Sequence, residues 1–177
     1  MTATEYVVLV DEQNQTIGTA EKLAAHQNNL LHRAFSVFLF RHHPGPELLL
    51  QQRAFHKYHS RGLWTNTCCS HPRLDESILA AGKRRLHEEL GIHATLSDSG
   101  WFHYQAQLDS GLSENEIDHV LTGLVAPDTQ VIPNVNEVHS YRWVGLDALD
   151  RELDTHPEQF TFWFAAALMI ARQHLPT

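Results

Sequence analysis

The stretch that decides the fold is Ser70-His-Pro-Arg-Leu-Asp-Glu-Ser-Ile-Leu-Ala-Ala-Gly-Lys-Arg-Arg-Leu-His-Glu-Glu-Leu-Gly-Ile92. Its middle reads as a helix over residues 77–90. Leu79, Leu86 and Leu90 recur at helical spacing and make one core-facing side. Glu76 and the neighbouring acids sit at the end where the helix dipole favours negative charge. Gly91 is a natural stop, because glycine takes the left-handed conformation that closes a helix.

Working outward, residues 64–70 read as a short strand. Residues 34–40 and 48–52 are β-rich runs joined by His-His-Pro-Gly-Pro, a hairpin turn by its Pro and Gly content. Residues 6–10 form a short apolar strand, 11–18 are turn-rich, and 21–26 suit a short helix. Downstream, 101–108 and 117–125 alternate as strands on either side of Asp109-Ser-Gly-Leu-Ser, 140–144 is a further strand, and 160–174 closes as a helix. Strands mixed with about three helices predict an α/β sandwich with a mixed central sheet, as a single domain over 1–177.

Bulk properties exclude several classes. A hydrophobic content of 42% and a charged content of 19% describe an ordinary globular chain. A net charge of −8 argues against a broad footprint on nucleic acid, although a local cluster of cations with a metal can still hold a small anion. No apolar run approaches the ~18 residues of a membrane span, and the start lacks a signal-peptide pattern, so a cytoplasmic protein without a membrane partner is expected. A monomer is favoured. Cys68 and Cys69 are adjacent and form no disulfide framework; two reduced thiols read as chemical rather than structural. Among 14 histidines, most are expected at the surface, His42, His43, His56, His59 and His87 included.

Strand geometry groups the reactive types. Residues two apart share a face, so Glu114 and Glu116 project together, as two carboxylates binding one cation must, and Cys69 and His71 do likewise if their segment is extended. Cys68 points the other way and suits a buried apolar site. A turn centred near Gly111 places position 106 opposite 116 and leaves Tyr104 diagonal to Glu116. Trp163 stands in an aromatic run with Phe160, Phe162 and Phe164, which by itself reads as core. Arg85 is equally suited to an i,i+4 pair with Glu89 or to a phosphate.

Read from Ser70, with five residues to Glu76 and seven more to Arg84-Arg85-Leu86-His87-Glu88-Glu89-Leu90-Gly91, the segment resembles the Nudix signature with two departures. Ser70 replaces its first Gly, and Arg85 replaces a metal-binding Glu. The same departures mark the isomerase branch of that superfamily, the type I isopentenyl-diphosphate isomerases, which the chain also resembles at Glu21-Lys22, His26, Leu31-His32-Arg33-Ala34-Phe35-Ser36, Trp64 through Pro72, Tyr104, Glu114-Asn115-Glu116 and Trp163.

The resemblance implies an α/β/α Nudix-like sandwich. It also implies that Cys69 and Glu116 exchange protons with the carbon skeleton of isopentenyl diphosphate, giving dimethylallyl diphosphate, with Tyr104 beside them and Trp163 facing the transient cation. A divalent ion, Mn²⁺, Zn²⁺ or Mg²⁺, is implied at His26, His32, His71, Glu114 and Glu116. A Mg²⁺ shared with the diphosphate is implied at Glu89, with Cys69 in the same ligand set; one carboxylate and a backbone carbonyl suffice for it. Lys22, Arg53, Lys57, Arg84 and Arg85 would grip the diphosphate. The alternatives are a Nudix hydrolase of nucleoside diphosphate derivatives, against which Arg85 counts, and a redox module, against which the missing spacer between the cysteines counts.

Overall fold

The computed structural model describes residues 3–57 and 59–177; Met1 and Thr2, part of the start expected to carry no signal-peptide pattern, lie outside them. Its strands are β1 (Tyr6–Val10), β2 (Thr16–Glu21), β3 (His32–His42), β4 (Pro46–Arg53), β5 (Trp64–Thr65), β6 (Cys68–Ser70), β7 (Ser97–Gln107), β8 (Ser113–Leu124) and β9 (Val138–Gly145). The helices are α1 (Lys22–Gln27), α2 (Ile78–Leu90), α3 (Leu146–Thr155) and α4 (Phe164–Gln173). No helix among the described residues is long and apolar enough to cross a membrane.

All the strands join one mixed sheet organised about β3. One edge of β3 runs parallel to β8 from His32↔Glu116 to Phe40↔Leu124. Its other edge is shared in turn by β1, β6 and β4, all antiparallel. Alternation along β3 builds two cores. Phe35, Val37 and Leu39 pack with Leu86 and Leu90 of α2, whereas Phe38 and Phe40 pack with Phe164 and Leu168 of α4. The layers are therefore helix, sheet, helix, as expected of the α/β sandwich.

Helix α2 is capped as its composition suggests. Ser77 accepts a hydrogen bond from the Ala80 amide, and Gly91 adopts φ 66°. Leu86 and Leu90 are fully buried and Leu79 is partly so.

Four local expectations need correction. Residues 16–18, read as turn, and Glu21, read as the start of a helix, belong to β2, an edge strand paired with β1; its outward Ile17 is exposed, so no apolar alternation announces it. Helix α3 has no counterpart among the expected elements, although Leu146, Leu149 and Leu153 follow helical spacing and pack on the α4-side core. Residues 160–163 precede α4 rather than belonging to it: Phe160 bridges Trp64, and the Thr161 amide donates to the Trp64 carbonyl at 3.0 Å. The strand read over 64–70 is broken at Asn66-Thr67, whose side chains replace the missing ladder. Thr67 Oγ1 donates to the Leu49 carbonyl (2.7 Å) and accepts from the Leu39 amide (2.9 Å), while Asn66 Nδ2 donates to Val37 and Cys68 carbonyls.

Candidate active site

The face of β8 that looks toward α4 carries Glu114, Glu116 and Asp118 before it turns apolar at Val120. On β3 the same face carries His32 and Ser36 before Phe38. Cys69, on β6, pairs with Ser36, and Tyr104, on β7, pairs directly with Glu116. That register corrects the diagonal one expected. The β7–β8 connection is a tight 3-10 turn over Asp109–Gly111, with Ser110 at φ 67°, and its centre at 110 moves each pairing by two. Cys68 points into the α2-side core and is fully buried.

Three imidazoles and one carboxylate converge here. Ligand atoms of His26, His32, His71 and Glu116 lie within 4.8 Å of one another. His26 Nδ1 stands 3.0 Å from the Ser113 carbonyl and His32 Nδ1 2.8 Å from that of Leu30. A carbonyl cannot donate, so each Nδ1 carries a hydrogen and each neutral ring turns its Nε2 lone pair inward. His32 Nε2 is 3.2 Å from Glu116 Oε1, and His71 Nε2 is 3.0 Å from the same oxygen. A neutral His71 can donate its own Nε2–H to that oxygen, whereas the lone pair of His32 can stand that close to it only with a proton or a cation between them. This borderline nitrogen and oxygen donor set fits a divalent transition ion or zinc. Glu114 lies beside this group rather than inside the 4.8 Å set, buried next to Glu116 and 3.3 Å from His59 Nε2.

The electrostatics pull the two glutamates apart. Burial, then the charge of Glu116, pushes the Glu114 carboxyl well up. Burial also pushes Glu116 upward, but hydrogen bonds from His32 and His71 outweigh it and hold that carboxyl well below the usual range. Burial drives His71 down to about 4 and His59 to about 3. Between a free imidazole's ~6.5 and those values, the unfolded chain takes up protons that the folded chain refuses, so these two groups make stability fall as pH falls. Burial lowers His26 in the same sense, whereas three groups act with the opposite sign: His32, which burial lowers but its bond to Glu116 raises overall, and the buried carboxyls of Glu114 and Asp118, both pushed well up. In metal-free buffer, His71→Gln should therefore lose less Tm than the parent protein between about pH 7 and about pH 5, as calorimetry at the two pH values would show.

The thiol of Cys69 is ringed by polar neighbours. Its Sγ is 3.0 Å from Asn66 Oδ1, accepts from Trp163 Nε1 at 3.1 Å, and lies 3.6 Å from Ser36 Oγ, which itself donates to Asp118 Oδ2 at 2.8 Å. Burial, and next the Asp118 carboxyl, pushes the thiol up to about 12. The Tyr104 ring meets Trp163 edge to face at 6.2 Å, and burial, followed by Glu114, Glu116 and Asp118, raises its phenol.

The cavity lined by Cys69, Glu116 and Trp163 is also lined by Lys22, Arg53, Lys57, Arg85 and Glu89. Arg85 donates to Glu89 at 2.6 Å, and Gln51 Nε2 donates to the other oxygen of Glu89 at 2.8 Å. Arg85 thus makes the i,i+4 pair and still faces the cavity. Lys57 is paired with Glu137, and Lys22 with Glu5 at 2.7 Å. The Arg53 guanidinium is 5.8 Å from the Trp163 ring centre.

Residues 30–164 match the family model described as the NUDIX domain. An isopentenyl-diphosphate Delta-isomerase of Aliivibrio fischeri (strain MJ11) is 49% identical, covering 97% of each chain. The protein of the same name from Photobacterium profundum is 52% identical over 93% of this chain and 92% of its own. The chain belongs to the isopentenyl-diphosphate Delta-isomerase family. Among solved structures, DR0079 from Deinococcus radiodurans superposes with a TM-score of 0.73 at 16% identity, covering 95% of this chain and 98% of that one, which speaks to the fold alone.

Within this isomerase-family site, the structure does not bring in Arg84, one of the residues expected at the diphosphate. Its guanidinium is engaged by Glu76 through two 2.8 Å bonds at the start of α2, and it is not among the lining residues. His59, expected at the surface, lines the cavity and meets Glu114. Asn66, Asp118 and Gln51 join the site without having been expected there. Asp118 alone has a legible signal, since it continues the two-residue spacing of Glu114 and Glu116.

Proposed function

We propose that this chain interconverts isopentenyl and dimethylallyl diphosphate by adding a proton at one carbon and removing one from another. The observation that carries this is the pairing of a half-buried thiol with a buried carboxylate, from the two strands that flank β3, on the walls of one cavity beside an indole. Moving a double bond without breaking P–O requires an acid and a base on separate sides of a flat skeleton. Cys69 and Glu116 take these roles, and Tyr104 sits over Glu116. Trp163 offers its π face to a carbocation-like state, an attraction of ~2 kcal/mol or more once water is excluded.

Lys22, Arg53, Lys57 and Arg85 bind the diphosphate, and Glu89 with the backbone carbonyl of Cys69 would hold a Mg²⁺ that offsets the diphosphate charge. His26, His32, His71 and Glu116, with Glu114 adjacent, would hold Mn²⁺, Zn²⁺ or Mg²⁺, whose charge would keep Glu116 ionised. The substrate is a small molecule, and we place the reaction in the cytoplasm.

In heavy water with Mg²⁺, the protein is expected to convert isopentenyl diphosphate to dimethylallyl diphosphate carrying carbon-bound deuterium, read by NMR or mass spectrometry, without releasing phosphate. Phosphate release without carbon deuteration would instead identify a hydrolase on the same fold.

A further inference from the structure

Asn66 is fully buried between β5 and β6. Its amide has one possible orientation. Nδ2 donates to the Val37 carbonyl at 3.1 Å and the Cys68 carbonyl at 2.9 Å, and since neither oxygen can donate, Oδ1 must face the other way. Three donors converge on that oxygen: the Thr65 hydroxyl at 2.8 Å, the Cys69 thiol at 3.0 Å and the Trp163 indole N–H at 3.2 Å.

We infer that Asn66 is a positioning residue for proton transfer, its side-chain oxygen fixing the Cys69 thiol and the Trp163 indole in one mutual geometry. The inference rests on the reading of Cys69 as a proton-transfer group and of Trp163 as the face presented to substrate.

A carbonyl oxygen offers two lone pairs, so three donors compete for it. Thr65 has an alternative in Thr161 Oγ1 at 2.9 Å. The indole N–H has an alternative in Cys69 Sγ at 3.1 Å, so Trp163 is shared between the oxygen and the sulfur. While sulfur holds its proton, the thiol and the indole both address Asn66. Once that proton moves to carbon, the sulfur loses its donor and becomes the better acceptor, and the indole N–H turns to it. One immobile oxygen therefore ties the protonation of the thiol to the setting of the aromatic wall. The Nδ2 bonds to Val37 and Cys68 explain the break in the strand; they do not explain why Oδ1 collects the thiol and the indole.

The test uses the full-length protein, with tryptophan indoles labelled with nitrogen-15. Asn66→Ser keeps a hydroxyl that can serve the backbone and removes the carbonyl oxygen; Asn66→Ala removes both. In Asn66→Ser, kcat should fall about 100-fold, the scale of a small misplacement of reacting groups, with KM for isopentenyl diphosphate held within about threefold. The Trp163 indole resonance, identified by its loss in Trp163→Phe, should move in Asn66→Ser and also in Cys69→Ala, which leaves Asn66 untouched. A folded Asn66→Ser enzyme with near-normal kcat would overturn the inference, as would a loss that tracks only its unfolded fraction. So would an indole resonance that stays in place in Cys69→Ala, and this arm decides the matter if both Asn66 variants fail to fold. A wild-type protein that puts no deuterium into carbon would defeat the isomerase reading instead, and the resonance would still report on the contact.

Discussion

Cys69→Ala is expected to lower turnover of isopentenyl diphosphate by about 1,000-fold or more, within the range for a lost general acid or base, while Cys68→Ala keeps most of its activity. The two cysteines are chain neighbours of the same chemistry and differ only in the side of the sheet they face. Cys68 is sealed in the core with Phe35, Leu86 and Leu121, where alanine leaves a small cavity and should affect stability more than rate. Cys69 lines the cavity and is held by Asn66, Trp163 and Ser36. Steady-state kinetics on both variants, with melting temperatures to confirm folding, separate the two effects. A Cys69→Ala enzyme within about tenfold of wild type would remove the thiol from the chemistry.

Glu116→Gln should be equally severe, by about 1,000-fold, and for two combined reasons. The amide cannot accept a proton from carbon, and it withdraws the negative charge that His32 and His71 share at 3.2 and 3.0 Å. Any divalent ion held there should be lost on dialysis, as elemental analysis would show. Activity and metal content together distinguish the roles. If excess Mn²⁺ or Zn²⁺ returns the variant to within about tenfold of wild type, Glu116 is a ligand and not a proton carrier.

What can be read from the chain follows from how locally each feature is encoded. Helix α2 is legible because its leucine spacing, acidic start and terminal Gly91 are all local signals, and Gly91 takes the left-handed conformation expected of it. The start of β8 is not. Ser113-Glu-Asn-Glu116 is polar throughout, and it belongs to a buried strand because β7 pairs with all four residues, β3 joins at Glu116, and His32, His59 and His71 face its carboxylates. Even His71 stands 45 positions from Glu116 in sequence. The candidate site is therefore visible mainly through resemblance, which gathers His26, His32, His71 and Glu116 when no spacing can. Arg84 shows the limit of that route: as a cation one position from Arg85 it suits the diphosphate on paper, but a helical step turns it toward Glu76. His59 shows the converse, a single loop histidine with no pattern around it.

The attachment of the reacting groups to β3, β6 and β8 has a consequence for how substrate can get in. Of these, β3 and β8 are hydrogen-bonded along both edges and β6 along one; doubly paired strands breathe only when much of the molecule opens, and such backbone belongs to the slowest class of amide exchange. Carboxylates fixed to β8, and a thiol registered against Ser36, cannot swing aside to admit a ligand and close behind it. Admission and release would then fall to lining side chains that stand outside the strands, such as Lys57 and His59. The carboxylate of Glu116 thus stands on the stiffest part of the chain, and the traffic of molecules is left to the softer parts.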